Sequence, residues 1–196
     1  MKTSQENLTR RNVLFAAATL PLALLTHQHG AVAQTTAPIP ACSDATPESE
    51  EGPFFKPGSP QRSSFVAEGT PGTTLSLTGV VRSTACQPIR GARLDFWHAD
   101  SSGHYDTNGF HMRGHQYSDD QGRYRLETIL PGAYPGRTRH IHVKLQRPGG
   151  KLLTTELYFP DESRNSTDDQ FTAALLMEVI RGADSHREAR FDFVMR

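Results

Sequence analysis

The densest chemistry in this sequence lies in Tyr134–Leu145, YPGRTRHIHVKL, where a tyrosine, an arginine and an H-x-H pair fall within one turn and one strand. Successive side chains of a strand point to opposite faces. His140 and His142 therefore share one face, while Ile141, Val143 and Leu145 line the other. Two imidazoles presented in this way can each give a neutral ring nitrogen to one metal ion. The same pattern also describes the wet side of a half-buried strand, with Lys144 continuing the polar row. H-x-H alone leaves both readings open, and the surrounding residues bear on the choice.

Two tyrosines stand where strands give way to loops: Tyr105 follows FWHADSSGH and Tyr134 follows ILPGA, with Arg137 three residues before His140. A phenol, with a pKa of about 10, becomes a metal ligand only when a strong Lewis acid takes its proton. A hard trivalent ion such as Fe(III) does so, whereas Zn(II) sites use His, Cys and carboxylate. Two Tyr with two His would neutralise much of the charge of such an ion and keep it oxidised. The other candidates read differently. His98 shares a face with Leu94 and Phe96 and reads as a structural histidine. His104 adjoins Tyr105 and reads as pocket lining. His111 and His115 have i, i+4 spacing but sit in a Gly-containing loop, which argues against a helical metal site. Trp97, Tyr117, Tyr124 and Tyr158 read as packing residues. A cupin site does not fit, because Glu156 lies too far beyond H-x-H.

The elements that must position these groups are short strands. From Thr74 the pattern has period two, with Leu75, Leu77, Gly79 and Val81 alternating against Thr74, Ser76 and Thr78. Ala92–Ala99, Arg123–Ile129, Arg139–Leu145 and Leu152–Phe159 read as further strands, separated by Gly, Pro and Asp turns. The Gly- and His-rich segment 101–122 reads as a loop. Asp168-Asp169 is placed to cap a short helix through Ala174, Leu175–Ile180 suits helix or strand, and Ala189–Met195 reads as a closing strand. This is an all-β pattern with little helix and no internal repeat, and it predicts a β-sandwich over 74–196. Residues 34–73, rich in Thr, Pro, Ser and Gly, form an irregular N-terminal arm, packed on the domain or partly mobile. Its EEGPFFKPG knot (Glu50–Gly58) must bury Phe54 and Phe55 over some surface of the core.

The first 33 residues read as an export signal. Lys2 and Arg10-Arg11 precede an apolar run from Val13 to Leu25, too short for a transmembrane helix, and Ala31-Val32-Ala33 supplies a small-x-small cleavage pattern. Thr9–Leu14 resembles the twin-arginine motif, and an ordinary secretory signal is the alternative. Either implies a periplasmic or extracellular protein with no membrane span after processing. Twenty-one basic and 21 acidic residues balance among 196, which argues against nucleic acid or anionic membrane as a partner. Cys42 and Cys86 are the only cysteines. In an oxidising compartment the even pair suits a disulfide, with two separate buried thiols as the other reading.

LDFWHADSSGHYD and PGAYPGRTRHIHVKL resemble the two ligand motifs of the intradiol ring-cleavage dioxygenases, the group containing protocatechuate and catechol dioxygenases. EEGPFF resembles that family's N-terminal segment, and LTTELYFPDE its strand after the ligands; together these span about Glu50 to Asp161 in the same order. The resemblance implies a prealbumin-like sandwich in which Tyr105, Tyr134, His140 and His142 bind one non-haem Fe(III). It makes Tyr134 and His142 axial ligands, Tyr105 and His140 equatorial ones, and sets Arg137 beside the substrate. The implied substrates are a catechol and O2, and the product a muconate-type dicarboxylic acid. Tyr134 would accept a substrate proton, and Arg137 would offset negative charge on the ring. Three positions depart from the family pattern: the Tyr134–His140 interval is short, Arg139 replaces a small residue, and Glu156 stands where glutamine is common. A non-catalytic prealbumin-like binding module and a periplasmic His-only Zn or Cu site are the competing readings.

Overall fold

The structure is a computed structural model that describes Cys42, residues 44–181 and residues 185–196. The export signal and its cleavage site lie outside the described residues. Among the described residues nine strands form two sheets: β1 (Thr74–Ser83), β2 (Arg93–Trp97), β3 (Arg113–Tyr117), β4 (Arg123–Ile129), β5 (His140–Gln146), β6 (Leu152–Tyr158), β7 (Glu178–Arg181), β8 (His186–Arg190) and β9 (Phe193–Met195). One sheet runs β4-β1-β8-β7 with β9 also on β1; the other runs β3-β2-β5-β6. Among the described residues helix is confined to two 3-10 turns, Ser163–Ser166 and Ala173–Leu175.

The sheets bury their apolar faces in one core. Leu75, Leu77 and Val81 of β1, Leu126 of β4 and Phe193 of β9 belong to the same cluster as Leu94 and Phe96 of β2, Ile141, Val143 and Leu145 of β5, and Leu157 of β6. Each such side chain contributes roughly 1.5–3 kcal/mol by leaving water. The β-sandwich expected from the sequence is the fold observed.

Three local expectations are corrected. Arg113–Tyr117, read as loop, is strand β3: its polar residues carry no alternation signal, and it forms because all five pair with β2, Arg93↔Tyr117 through Trp97↔Arg113. The closing strand is broken in two. β8 and β9 both run parallel to β1, and between them Asp192 Oδ1 accepts from Val80 N–H at 3.0 Å, replacing a ladder carbonyl. Asp168 caps no helix. The 3-10 turn at Ala173 follows Thr172, and 178–181 is strand.

The described part of the arm closes sheet edges. Arg62 N–H donates to His115 O (2.8 Å) along β3, and Phe65 N–H to Glu127 O (2.8 Å) along β4. Ser49 N–H donates to Thr154 O (2.9 Å) on β6. Covered edges do not template pairing with another chain. Cys42 and Cys86 are bridged, with Cα atoms 5.2 Å apart, which ties the start of the arm to the turn after β1.

Candidate metal centre

Pairing in the second sheet sets a row of residues side by side. Arg113 pairs with Trp97, Trp97 with His142, and His142 with Glu156; beside this row His140 pairs with Tyr158. All six are buried. The row lies opposite the core face of Ile141 and Val143, so the histidine face is covered, not wet. Trp97 stacks on the His142 ring, with centroids 4.8 Å apart and planes parallel.

The tyrosines reach this face from two loops. Gly132 N–H donates to Asp100 O at 2.7 Å, binding the turn before Tyr134 to the loop before Tyr105. Gly103 holds φ at 85°, and a Cβ there would stand 2.6 Å from Ala133 O, so a side chain would force the loops apart. Arg164 Nη1 donates to Tyr134 O at 2.7 Å, and Thr138 Oγ1 to Asn165 Oδ1 at 2.7 Å, so the 163–166 turn braces the short Tyr134–His140 segment. Arg139 turns to Glu162 (2.8 Å) and Pro131 O.

Four donors converge. From His140 Nε2, Tyr134 Oη lies at 3.2 Å, Tyr105 Oη at 3.4 Å and His142 Nε2 at 3.2 Å. His140 Nδ1 lies 2.7 Å from Thr138 O, an acceptor only, so the ring hydrogen is on Nδ1 and Nε2 is bare. His142 Nδ1 lies 3.3 Å from Glu156 Oε1, without hydrogen-bond alignment. Burial lowers the pKa of both histidines, for His142 reinforced by His140, so both rings are neutral. Burial raises the pKa of both phenols, for Tyr105 with a further contribution from Tyr134. The phenols therefore keep their protons until a Lewis acid takes the site. Two donors about 2.1 Å from one ion, at angles between right and tetrahedral, stand roughly 3.0–3.4 Å apart. The observed spacing fits a single ion held by two phenolates and two neutral imidazoles.

Charge is arranged around this set. Glu156, fully buried, receives Arg137 through both nitrogens (Nη1–Oε1 3.2 Å, Nη2–Oε2 2.5 Å) and the Tyr158 hydroxyl (2.5 Å). Arg137 Nε donates to Asp168 at 3.0 Å, and Asp168 also accepts from Thr138 N–H at 2.7 Å. Burial works against the charge of Arg137, but Glu156 and then Asp168 more than offset it and hold its pKa above the ordinary value. Against its own burial, Asp168 is held below the usual carboxylate range by the backbone N–H groups of Thr138 and Gln170 and by Arg137. Glu156 also forms a possible metal-binding group with His140 and His142, donor atoms lying within 4.8 Å of one another. Its two oxygens are already taken up by Arg137 and Tyr158, which places it as a support beside the histidines.

The arm supplies the remaining wall. Phe54 stacks on Tyr105 (4.3 Å, 12°), and Phe55 sets its ring against Trp97 at 4.9 Å. Gly52, at φ 68°, passes so close that a Cβ would lie 3.3 Å from His142 Cε1. The Phe54-Phe55 pair therefore covers the polar centre, not the apolar core.

The structure brings together all five residues singled out in the sequence: Tyr105, Tyr134, Arg137, His140 and His142. His98 is a satisfied structural histidine, bonded to Ala99 O (2.7 Å) and Thr128 Oγ1 (2.6 Å). His104 is turned to solvent, its side chain 81% exposed. Tyr117 is 48% exposed and so is not a packing residue, whereas Tyr158 does more than pack. Asp168 and Arg113 were missed, and no motif marks either. Glu156 had a usable signal, since it sits two residues from Thr154 and Tyr158 on one face of a strand that must pair with H-x-H.

Comparison with known proteins now identifies the class. The chain belongs to the intradiol dioxygenase family: the family model described as dioxygenase matches residues 50–196. A catechol 1,2-dioxygenase from Acinetobacter baylyi is 30% identical over 174 residues, covering 74% of this chain and 55% of that protein. One from Pseudomonas sp. (strain EST1001) is 30% identical over 139 residues, 57% of this chain and 46% of that protein. The chain thus spans about half the length of these curated relatives. Among solved structures, it is similar to the dioxygenase domain of a dioxygenase and carbohydrate-binding protein fusion from Streptomyces sp. SirexAA-E. That domain is 56% identical, with a TM-score of 0.76 over 78% of this chain and 98% of that one.

Proposed function

We propose that this protein cleaves a catechol-type diol between its two hydroxyl-bearing carbons, inserting both atoms of O2 and releasing a muconate-type dicarboxylic acid. The observation that carries the reading is the convergence of Tyr105 Oη, Tyr134 Oη and His142 Nε2 on His140 Nε2 within 3.2–3.4 Å. Tyr105, Tyr134, His140 and His142 would hold one non-haem Fe(III) per chain. When bound, ferric iron supplies the acidity that ionises the phenols and the electron demand that opens a chelated diol to O2.

The chain's own residues do the rest. Tyr134 is half-buried on a loop and would accept a proton from the incoming diol at its Oη. Tyr105 is clamped by Phe54, which fixes its ring. His140 is fixed in tautomer by Thr138 O, and His142 in orientation by Trp97. Arg137, held on Glu156 and Asp168, offsets negative charge on the ring. Phe54, Phe55 and Gly52 exclude water from the His142 side.

Incubating iron-loaded protein with catechol and 18O2 tests the reaction. One heavy oxygen in each new carboxyl group is expected. Oxidation to a quinone with no ring-opened acid would refute it.

We further propose an exported protein, supported by Arg10-Arg11, Ala31-Val32-Ala33 and the Cys42–Cys86 bridge. Among the described residues no helix is long and apolar enough to cross a membrane. Exported protein should begin at Gln34; a cytoplasmic form with Met1 intact would contradict this.

A further inference from the structure

Arg113 is an unusual charge. It is 2% exposed, and no carboxylate among the described residues lies within ion-pair distance of it. Its Nε donates to Asp106 O (2.9 Å) and its Nη1 to Phe54 O (2.5 Å), while Nη2 is buried without a hydrogen-bond partner. Asp106, whose backbone carbonyl it binds, has its carboxylate committed to the backbone N–H groups of Asn108, Gly109 and His111. What the guanidinium does face is Tyr105: its Cζ lies 5.9 Å from the ring centroid, within cation–π range. A buried guanidinium costs several kcal/mol unless its charge is compensated, and carbonyl dipoles compensate only in part.

We infer that Arg113 is a positioning and tuning residue of the metal centre, a buried cation that fixes Tyr105 against Phe54 and stabilises electron density on its ring. The geometry couples the two tasks. One nitrogen binds the residue after Tyr105, another binds Phe54, and Phe54 stacks on the Tyr105 ring. The inference rests on Tyr105 being an iron ligand. A cation beside the donor ring lowers its filled orbitals, so moving an electron from ring to metal takes more energy. Removing the charge should shift the tyrosinate-to-iron absorption to longer wavelength.

The test compares iron-loaded wild type with Arg113→Gln, Arg113→Met and Arg113→Lys, recording visible spectra, melting temperature and iron retention against a chelator. Gln keeps donors for the two carbonyls, Met keeps bulk, and Lys keeps charge; either neutral variant that folds suffices. The expected result is a band at longer wavelength and iron retention weaker by roughly two- to thirty-fold in the neutral variants. Lys should lie near wild type in wavelength even if it melts lower. A neutral variant that melts lower with its band unmoved would overturn the inference and leave Arg113 a structural residue. Wild-type protein that binds iron without colour would remove Tyr105 as a ligand, and the inference with it.

Discussion

The two sheets share one core but spend their other faces differently. Strand β1 alternates buried and half-exposed residues along most of its length, the pattern of a sheet with one face in water. In β5 the first four residues, His140–Val143, are all buried, and in β6 the last four are, Thr155–Tyr158. Those stretches have an apolar face on the core and a polar face covered by the arm and the Tyr105 and Tyr134 loops. Burying histidine, glutamate and arginine is unfavourable unless each is paired or coordinated. A strand buried on both faces with ionisable residues on one of them therefore marks the site, and a cleanly alternating strand marks scaffold.

That contrast can be broken in graded ways. Tyr105→Phe and His140→Ala should each abolish most iron binding and colour while leaving the fold, whereas Leu77→Ala on the scaffold sheet should cost about 2–5 kcal/mol of stability and leave the colour of folded protein unchanged. Metal analysis and chemical denaturation of the three variants decide it. Reducing the Cys42–Cys86 bridge, which spans 44 positions, should lower stability by about 4 kcal/mol without removing iron, as read by denaturation with and without reductant. Arg137→Ala should remove on the order of 3–5 kcal/mol, because it strands Glu156 and Asp168 as buried charges; Glu156→Gln, which keeps a polar partner, should cost less.

The smallest effect is pH-dependent. Burial depresses the pKa of His98 to about 4, against about 6.5 when unfolded. The unfolded chain then binds more protons between these values, so stability is full above about pH 6.5 and declines as pH falls toward 4, by on the order of 3 kcal/mol from this residue. His98→Gln should flatten that part of the melting-temperature profile.

Much of the site was legible because its candidate metal donors fall in local motifs. H-x-H on a strand dictates a shared face, and tyrosines at strand ends are placed to reach it. What was hidden depends on register. Arg113 lies in a segment without periodicity, whose strand character comes from pairing with β2, and its link to His142 runs across two strands. Asp168 sits in a polar stretch where its cap-like spacing pointed to a helix; its partner lies 31 residues away. The Phe54-Phe55 knot announced that it must cover something, but only the fold shows that it covers the polar centre.

The proposed metal centre is tested most directly by a crystal structure of iron-loaded protein with data collected at the iron absorption edge. One anomalous peak per chain is expected within bonding distance of Tyr105 Oη, Tyr134 Oη, His140 Nε2 and His142 Nε2, with Glu156 still bound to Arg137. A peak held by His140, His142 and Glu156, with both tyrosines turned away, would contradict it.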